Sequence, residues 1–84
     1  MAELTSLQNI GKEMAQKLES IDIATAEALK EAGSRKAFIR LKLEGHNVCL
    51  VHLYALEGAV TDREFNDLPE DVKRELKELS DGLK

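Results

Sequence analysis

VCLVHLYALEGAV, residues 48–60, is the stretch whose reading decides the fold. Only His52, Glu57 and Gly58 interrupt its apolar run, so an α-helix here is greasy around most of its circumference, and such a helix is normally buried. At ~1.5 Å per residue it extends about 20 Å, short of the ~30 Å hydrocarbon layer of a bilayer, and strongly charged segments flank it. It reads as the hub of a small soluble helical domain, with no membrane partner.

On the N-terminal side of the hub, Gly45 closes the preceding element and Asn47 is the expected N-cap. A helix over Arg35–Leu43 turns Ala37, Phe38 and Leu41 inward, with Ser34 as its cap. Before it, Thr25 caps a helix over Ala26–Ala32 that Gly33 ends. Residues 12–20 place Met14, Ala15, Leu18 and then Ile21 on one face and leave Lys12, Glu13, Gln16, Lys17 and Glu19 to water. A short helix over Glu3–Leu7 leads in and breaks at Gln8–Gly11.

On the other side, the chain turns through DREFNDLP after Thr61, with Phe65 expected to return to the core. Asp67, Leu68 and Pro69 open a last helix whose stripe is Val72, Leu76, Leu79 and Leu83; Pro suits a first turn, and Glu70 and Asp71 suit the N-terminal dipole. The fold expected is all-α: one compact five-helix domain over residues 1–84, the short Glu3–Leu7 lead-in not counted, containing a helix-hairpin-helix-like motif around a central buried helix.

Composition agrees with a folded helical chain rather than a disordered one, with 43% apolar and 33% charged residues and a single Pro. A lone cysteine, Cys49, rules out an intramolecular disulfide framework and fits a reducing compartment. MAELTSLQN has no basic segment leading into an apolar one, so no signal peptide is expected and the cytoplasm is the expected location. The net charge of −4 disfavours nonspecific DNA binding, which is driven by Lys and Arg neutralising phosphates. Any nucleic-acid contact must therefore be local.

Two local features qualify. LQNIGKEMAQKL, residues 7–18, resembles a helix-hairpin-helix motif: Leu7, Ile10, Gly11, Ala15 and Leu18 match the pattern, whereas Gln8 and Asn9 stand where it has Pro and Gly. Asn tolerates positive φ better than most residues. A tight hairpin entering a helix N-terminus presents unpaired backbone N–H groups that grip a phosphate without side-chain charge. By this resemblance the contacts come from the backbone of Asn9, Gly11 and Lys12, supported by the Lys12 and Lys17 side chains. The other reading is a compact corner between helices.

The second feature is the basic run Arg35, Lys36, Arg40 and Lys42. Arg35 and Lys36 sit in a first turn, where the helix dipole disfavours positive charge, and Lys36 and Arg40 repel mildly across one turn. Arg35, Lys36 and Arg40 are read either as an anion-facing patch or as a solvated face.

His46, Cys49 and His52 are close in sequence but share no convincing face for a metal that usually takes four protein ligands. Cys49 reads as a small core residue and His52 as a partly buried one with a local hydrogen bond. No nucleophile–base spacing is present, so catalysis, cofactors and metals are not expected.

Taken together, the hairpin, the hub and the tail with Phe65 and Asp67-Leu68-Pro69 resemble the C-terminal domain of the TfoX/Sxy family, regulators associated with competence for DNA uptake in bacteria. Leu53-Tyr54-Ala55-Leu56-Glu57-Gly58-Ala59 is the most specific part, and Phe65 stands where the family often has Trp. The chain has no room for the additional N-terminal domain such proteins often carry, so it resembles a stand-alone copy. The resemblance implies a non-enzymatic regulatory module that contacts DNA, or a DNA-bound protein such as a transcription factor, through the hairpin and the basic helix. The alternative is a purely protein-protein interaction or homodimerisation domain. Within the hub, the Tyr54 hydroxyl should reach a polar partner, Glu57 should be held by a cation or backbone donors, and Gly58 should allow a close crossing by another helix.

Overall fold

The computed structural model describes residues 3–83, and Met1, Ala2 and Lys84 of the expected 1–84 domain lie outside them. Five α-helices follow in order: α1 Lys12–Glu19, α2 Ala26–Ala32, α3 Ser34–Leu43, α4 Leu50–Thr61 and α5 Glu70–Gly82. Two 3-10 turns, Leu4–Ser6 and Phe65–Asp67, complete the order, and no strand occurs among the described residues. The Glu3–Leu7 segment is thus a single 3-10 turn rather than a helix; it buries Leu4. The radius of gyration of 11.6 Å matches the roughly 12 Å expected of a compact chain of this length.

Helical spacing accounts for most of the core. Met14, Ala15 and Leu18 of α1, Ala26 and Leu29 of α2, Ala37, Phe38 and Leu41 of α3, and Leu76 of α5 are buried. Val72, Leu79 and Leu83 pack against this core as the remainder of the α5 stripe. Thr25 caps α2 as expected, its Oγ1 accepting from the Ala28 N–H at 3.1 Å. Gly33 ends α2 and begins α3 with φ of +86° and ψ of 159°, a backbone region open to glycine alone.

Three capping and packing expectations are corrected. Ser34 is the first residue of α3, not its cap; it is buried and its Oγ donates to Glu57 Oε1 at 2.5 Å. Glu57 is thereby held by a hydroxyl rather than by a cation or backbone donors, because α3 packs directly against α4 at this point. Asn47 is not the cap of the hub either. Val48, 2% exposed, belongs to the entering loop, and Cys49 caps α4. Replacing Ser34 with Ala removes a donor from a half-buried carboxylate, so a loss of about 1.5 kcal/mol in urea-denaturation stability is expected; an unchanged midpoint would show that water replaces the hydroxyl.

α4 packs against α3, α5 and the Phe65–Asp67 turn. Leu53, Leu56, Gly58 and Ala59 are buried there, and the Tyr54 hydroxyl donates to the Lys73 carbonyl oxygen at 3.4 Å, as the sequence led one to expect. Neighbours on three sides leave a fourth side open, and Val51 on it is 56% exposed. The hub is therefore not buried all round. Phe65 is also corrected, being 37% exposed, while Leu68 three residues later is the one that fills the core. Among the described residues no helix is long and apolar enough to cross a membrane.

Candidate functional site

The hairpin between the first 3-10 turn and α1 is organised by Asn9. Its φ of +70° makes the turn, as Asn tolerates, and its amide then bridges to a distant loop. Nδ2 donates to the Arg63 carbonyl oxygen at 2.9 Å, and Oδ1 accepts from the Phe65 N–H at 3.3 Å. Both functions of the side chain serve to fasten the hairpin to the segment leaving α4.

Gly58 makes that fastening possible. A Cβ on Gly58 would lie 2.4 Å from Asn9 Nδ2 and 2.5 Å from the Arg63 carbonyl oxygen. The close approach expected at this glycine is real, but its partners are a hairpin side chain and a loop backbone, not a crossing helix.

Fastened in this way, the hairpin and α1 form one wall of a groove whose other wall is the open side of α4. Its volume is about 340 Å³. Met14, Val51, Ala55 and Phe65 give it an apolar surface, while Glu13, Lys17 and His52 place charge and hydrogen-bonding groups along it. Asn9 and Gly11 line the hairpin end. Gly11 is the N-cap of α1, has an extended backbone with φ of −90°, and has nothing within 4 Å of where a Cβ would stand. The fold itself does not require glycine there.

The residues expected to contact nucleic acid are thus divided. Asn9, Gly11 and Lys17 line this groove, whereas Lys12 lines a separate depression with Gln16 and Glu19. Arg35 is paired with Glu75 of α5 at 2.9 Å, Lys36 is exposed, and Arg40 is half-buried in the last turn of α3, where the dipole favours positive charge. Arg35, Lys36 and Arg40 do not line the hairpin groove. Reading the sequence missed Val51, Ala55 and Phe65 as groove residues because an apolar period marks what can be buried, not which side finds a neighbour.

Cys49 is corrected, being an exposed cap of α4 rather than a core residue, whereas His52 is partly buried with a local hydrogen bond as expected. Cys49 is exposed; its N–H donates to His52 Nδ1 at 2.9 Å, and its Sγ lies 3.4 Å from the same nitrogen. His46 is occupied elsewhere, with Nε2 2.8 Å from the Ser20 hydroxyl oxygen. No group of three or more His, Cys, Asp or Glu side chains suited to a metal occurs among the described residues. To accept from Cys49, the His52 ring must be neutral at Nδ1.

Burial, and secondarily the charge of Lys17, lower the pKa of His52 below its ordinary 6.5. The unfolded chain therefore takes up this proton first, and the stability that neutral His52 contributes is whole above pH 6.5 and diminishes as the pH falls from there toward the folded pKa. An NMR titration of the His52 ring should give a midpoint below 6.5; a midpoint at or above it contradicts the cap geometry.

The family model described as the TfoX C-terminal domain matches residues 1–79. Two Listeria monocytogenes crystal structures are similar over nearly the whole chain. One, an uncharacterised protein in a triclinic form, is 43% identical with a TM-score of 0.94, covering 98% of this chain and 93% of that one. The other, a protein of unknown function in a tetragonal form, is 41% identical with a TM-score of 0.93, covering 98% of this chain and 100% of that one. No curated protein matches.

Proposed function

The chain belongs to the TfoX C-terminal domain family, and from that premise we propose that it is a non-catalytic regulatory module that docks a DNA-bound protein in the groove between its hairpin and α4. The observation that carries this reading is the open side of the hub helix. Val51, on a helix otherwise packed against three neighbours, is 56% exposed, and Phe65 joins it on the same groove. An apolar surface rimmed by polar groups suits a protein partner. A net charge of −4 makes it less suited to the phosphate backbone. The competence- or transcription-related role associated with the family is part of this proposal, as is a cytoplasmic location, for which the lone cysteine is the support.

Direct DNA contact is the second reading. It is favoured by the unpaired N–H groups that open α1 behind Gly11, with Lys12 and Lys17 nearby in sequence and Arg35, Lys36 and Arg40 as a separate basic face. Fluorescence anisotropy with labelled duplex and single-stranded DNA, at low and moderate salt, separates the two. The protein-docking reading expects no saturable rise with the module alone at about tens of micromolar, where nonspecific DNA binders already respond. Salt-sensitive binding that disappears in Gly11→Pro or Lys36→Glu establishes the DNA reading instead.

A further inference from the structure

We propose that a second groove, at the start of α4, binds a phosphomonoester dianion, either free phosphate or the phosphate of a small metabolite. Lys42 of α3, Lys77, Ser80 and Asp81 of α5, and Asn47 and Cys49 of the loop entering α4 line it, and its volume is about 430 Å³. That is the size range of small-molecule sites.

Ser80 is the residue that points to a ligand. It is only 6% exposed, yet its hydroxyl has no hydrogen-bond partner among the described residues. A helical Ser or Thr commonly bonds back to the carbonyl of the preceding turn, as Thr61 does to Glu57 at 2.8 Å. Every fully buried side-chain N or O atom among the described residues does have a partner, so the unpartnered Ser80 Oγ keeps some accessibility, and Ser80 lines the groove.

The surroundings are those an anion requires. α4 is 12 residues long, and its first N–H groups lack intrahelical acceptors. The Cys49 N–H is taken by His52 Nδ1, and the His52 N–H by the Cys49 sulfur, which leaves the Leu50 and Val51 N–H groups at the positive end of the helix dipole. Neither Lys42 nor Lys77 is paired with a described carboxylate, whereas Asp81 has an interaction of its own. The Lys42 Nζ lies 5.8 Å from the centroid of the buried Phe38 ring, which holds the ammonium against α3. Two ammonium groups, a hydroxyl, the Asn47 amide and a helix N-terminus supply donors to several oxygens of one doubly charged group.

A ¹H–¹⁵N NMR titration of the whole chain at constant ionic strength, with inorganic phosphate, adenosine monophosphate, chloride and a short DNA duplex as separate probes, tests this. The amide resonances of Leu50, Val51 and Ser80 should shift saturably with one or both phosphate probes, with a midpoint below about 1 mM. The doubly substituted Lys42→Ala/Lys77→Ala protein should bind at least about tenfold more weakly, and Ser80→Ala about threefold, with resonances elsewhere unmoved. Equal response to both probes assigns the site to phosphate itself; a tighter midpoint for the nucleotide assigns it to a phosphorylated metabolite. The proposal is overturned by the absence of a saturable shift at about 10 mM, by an equal shift with chloride, by undiminished binding in the lysine variant, or by a response to duplex DNA alone.

Discussion

Gly58→Ala is expected to lower the stability of this domain by about 3 kcal/mol, although the same change in an ordinary helix interior gains about 1 kcal/mol from helix propensity. The sign reverses because of what surrounds the position. A methyl group at Gly58 would stand 2.4 Å from Asn9 Nδ2 and 2.5 Å from the Arg63 carbonyl oxygen. Overpacking costs about 1–3 kcal/mol, and moving Asn9 away also forfeits its two hydrogen bonds to the 63–65 segment, each worth about 1 kcal/mol. For a domain of this size the melting temperature should fall by roughly 10–20 °C. Adding Asn9→Gly, which keeps the positive φ at little cost, should recover only part of the loss, because the Arg63 carbonyl is backbone and remains in place. Thermal melts of the four proteins in this cycle provide the check. A Gly58→Ala protein as stable as the parent means that the hairpin does not rest on α4.

The second large effect concerns binding rather than stability. Val51 and Phe65 are exposed apolar residues that the core does not use, so Val51→Glu and Phe65→Glu should each change stability by less than about 1 kcal/mol. Against the proposed DNA-bound partner, an aromatic or aliphatic anchor at the centre of an interface contributes about 2 kcal/mol or more, and affinity should drop at least about 30-fold. Lys36→Glu, outside this groove, should leave the affinity unchanged. Should Lys36→Glu abolish binding while Val51→Glu retains it, the working surface lies on α3 instead.

Much of the fold could be read from the chain because helical periodicity records burial directly. Leu18, Phe38, Leu41 and Leu76 repeat at helical intervals and are completely buried. Thr25 before Ala26 and Gly33 after Ala32 mark the limits of α2 by local chemistry alone. What could not be read depends on contacts distant in sequence. Ser34 follows Gly33 at what looks like a capping position, but its hydroxyl turns to Glu57 on another helix. Val51 and Phe65 were assigned to the core on hydrophobicity, yet whether an apolar side chain is covered depends on how many helices an 84-residue chain can place around one hub.

The candidate site was half legible. Asn9, Gly11 and Lys17 were found through the hairpin motif and lie together; their groove partners on α4 were not. A signal was present in the two departures from local rules, an Asn where the motif has glycine and a glycine inside an apolar helix. The glycine at 58 makes room for the Asn9 side chain, and no single-segment rule connects them.

The claim that the open side of α4 is the working surface is tested most directly by photo-crosslinking in cells, with benzoylphenylalanine placed at position 51 and, as a control on the exposed surface of α2, at position 30. The proposed docking function predicts a crosslink from position 51 to one protein that is itself bound to DNA, and none from position 30. Crosslinks to DNA, to a second copy of this chain alone, or in equal yield from both positions would contradict it.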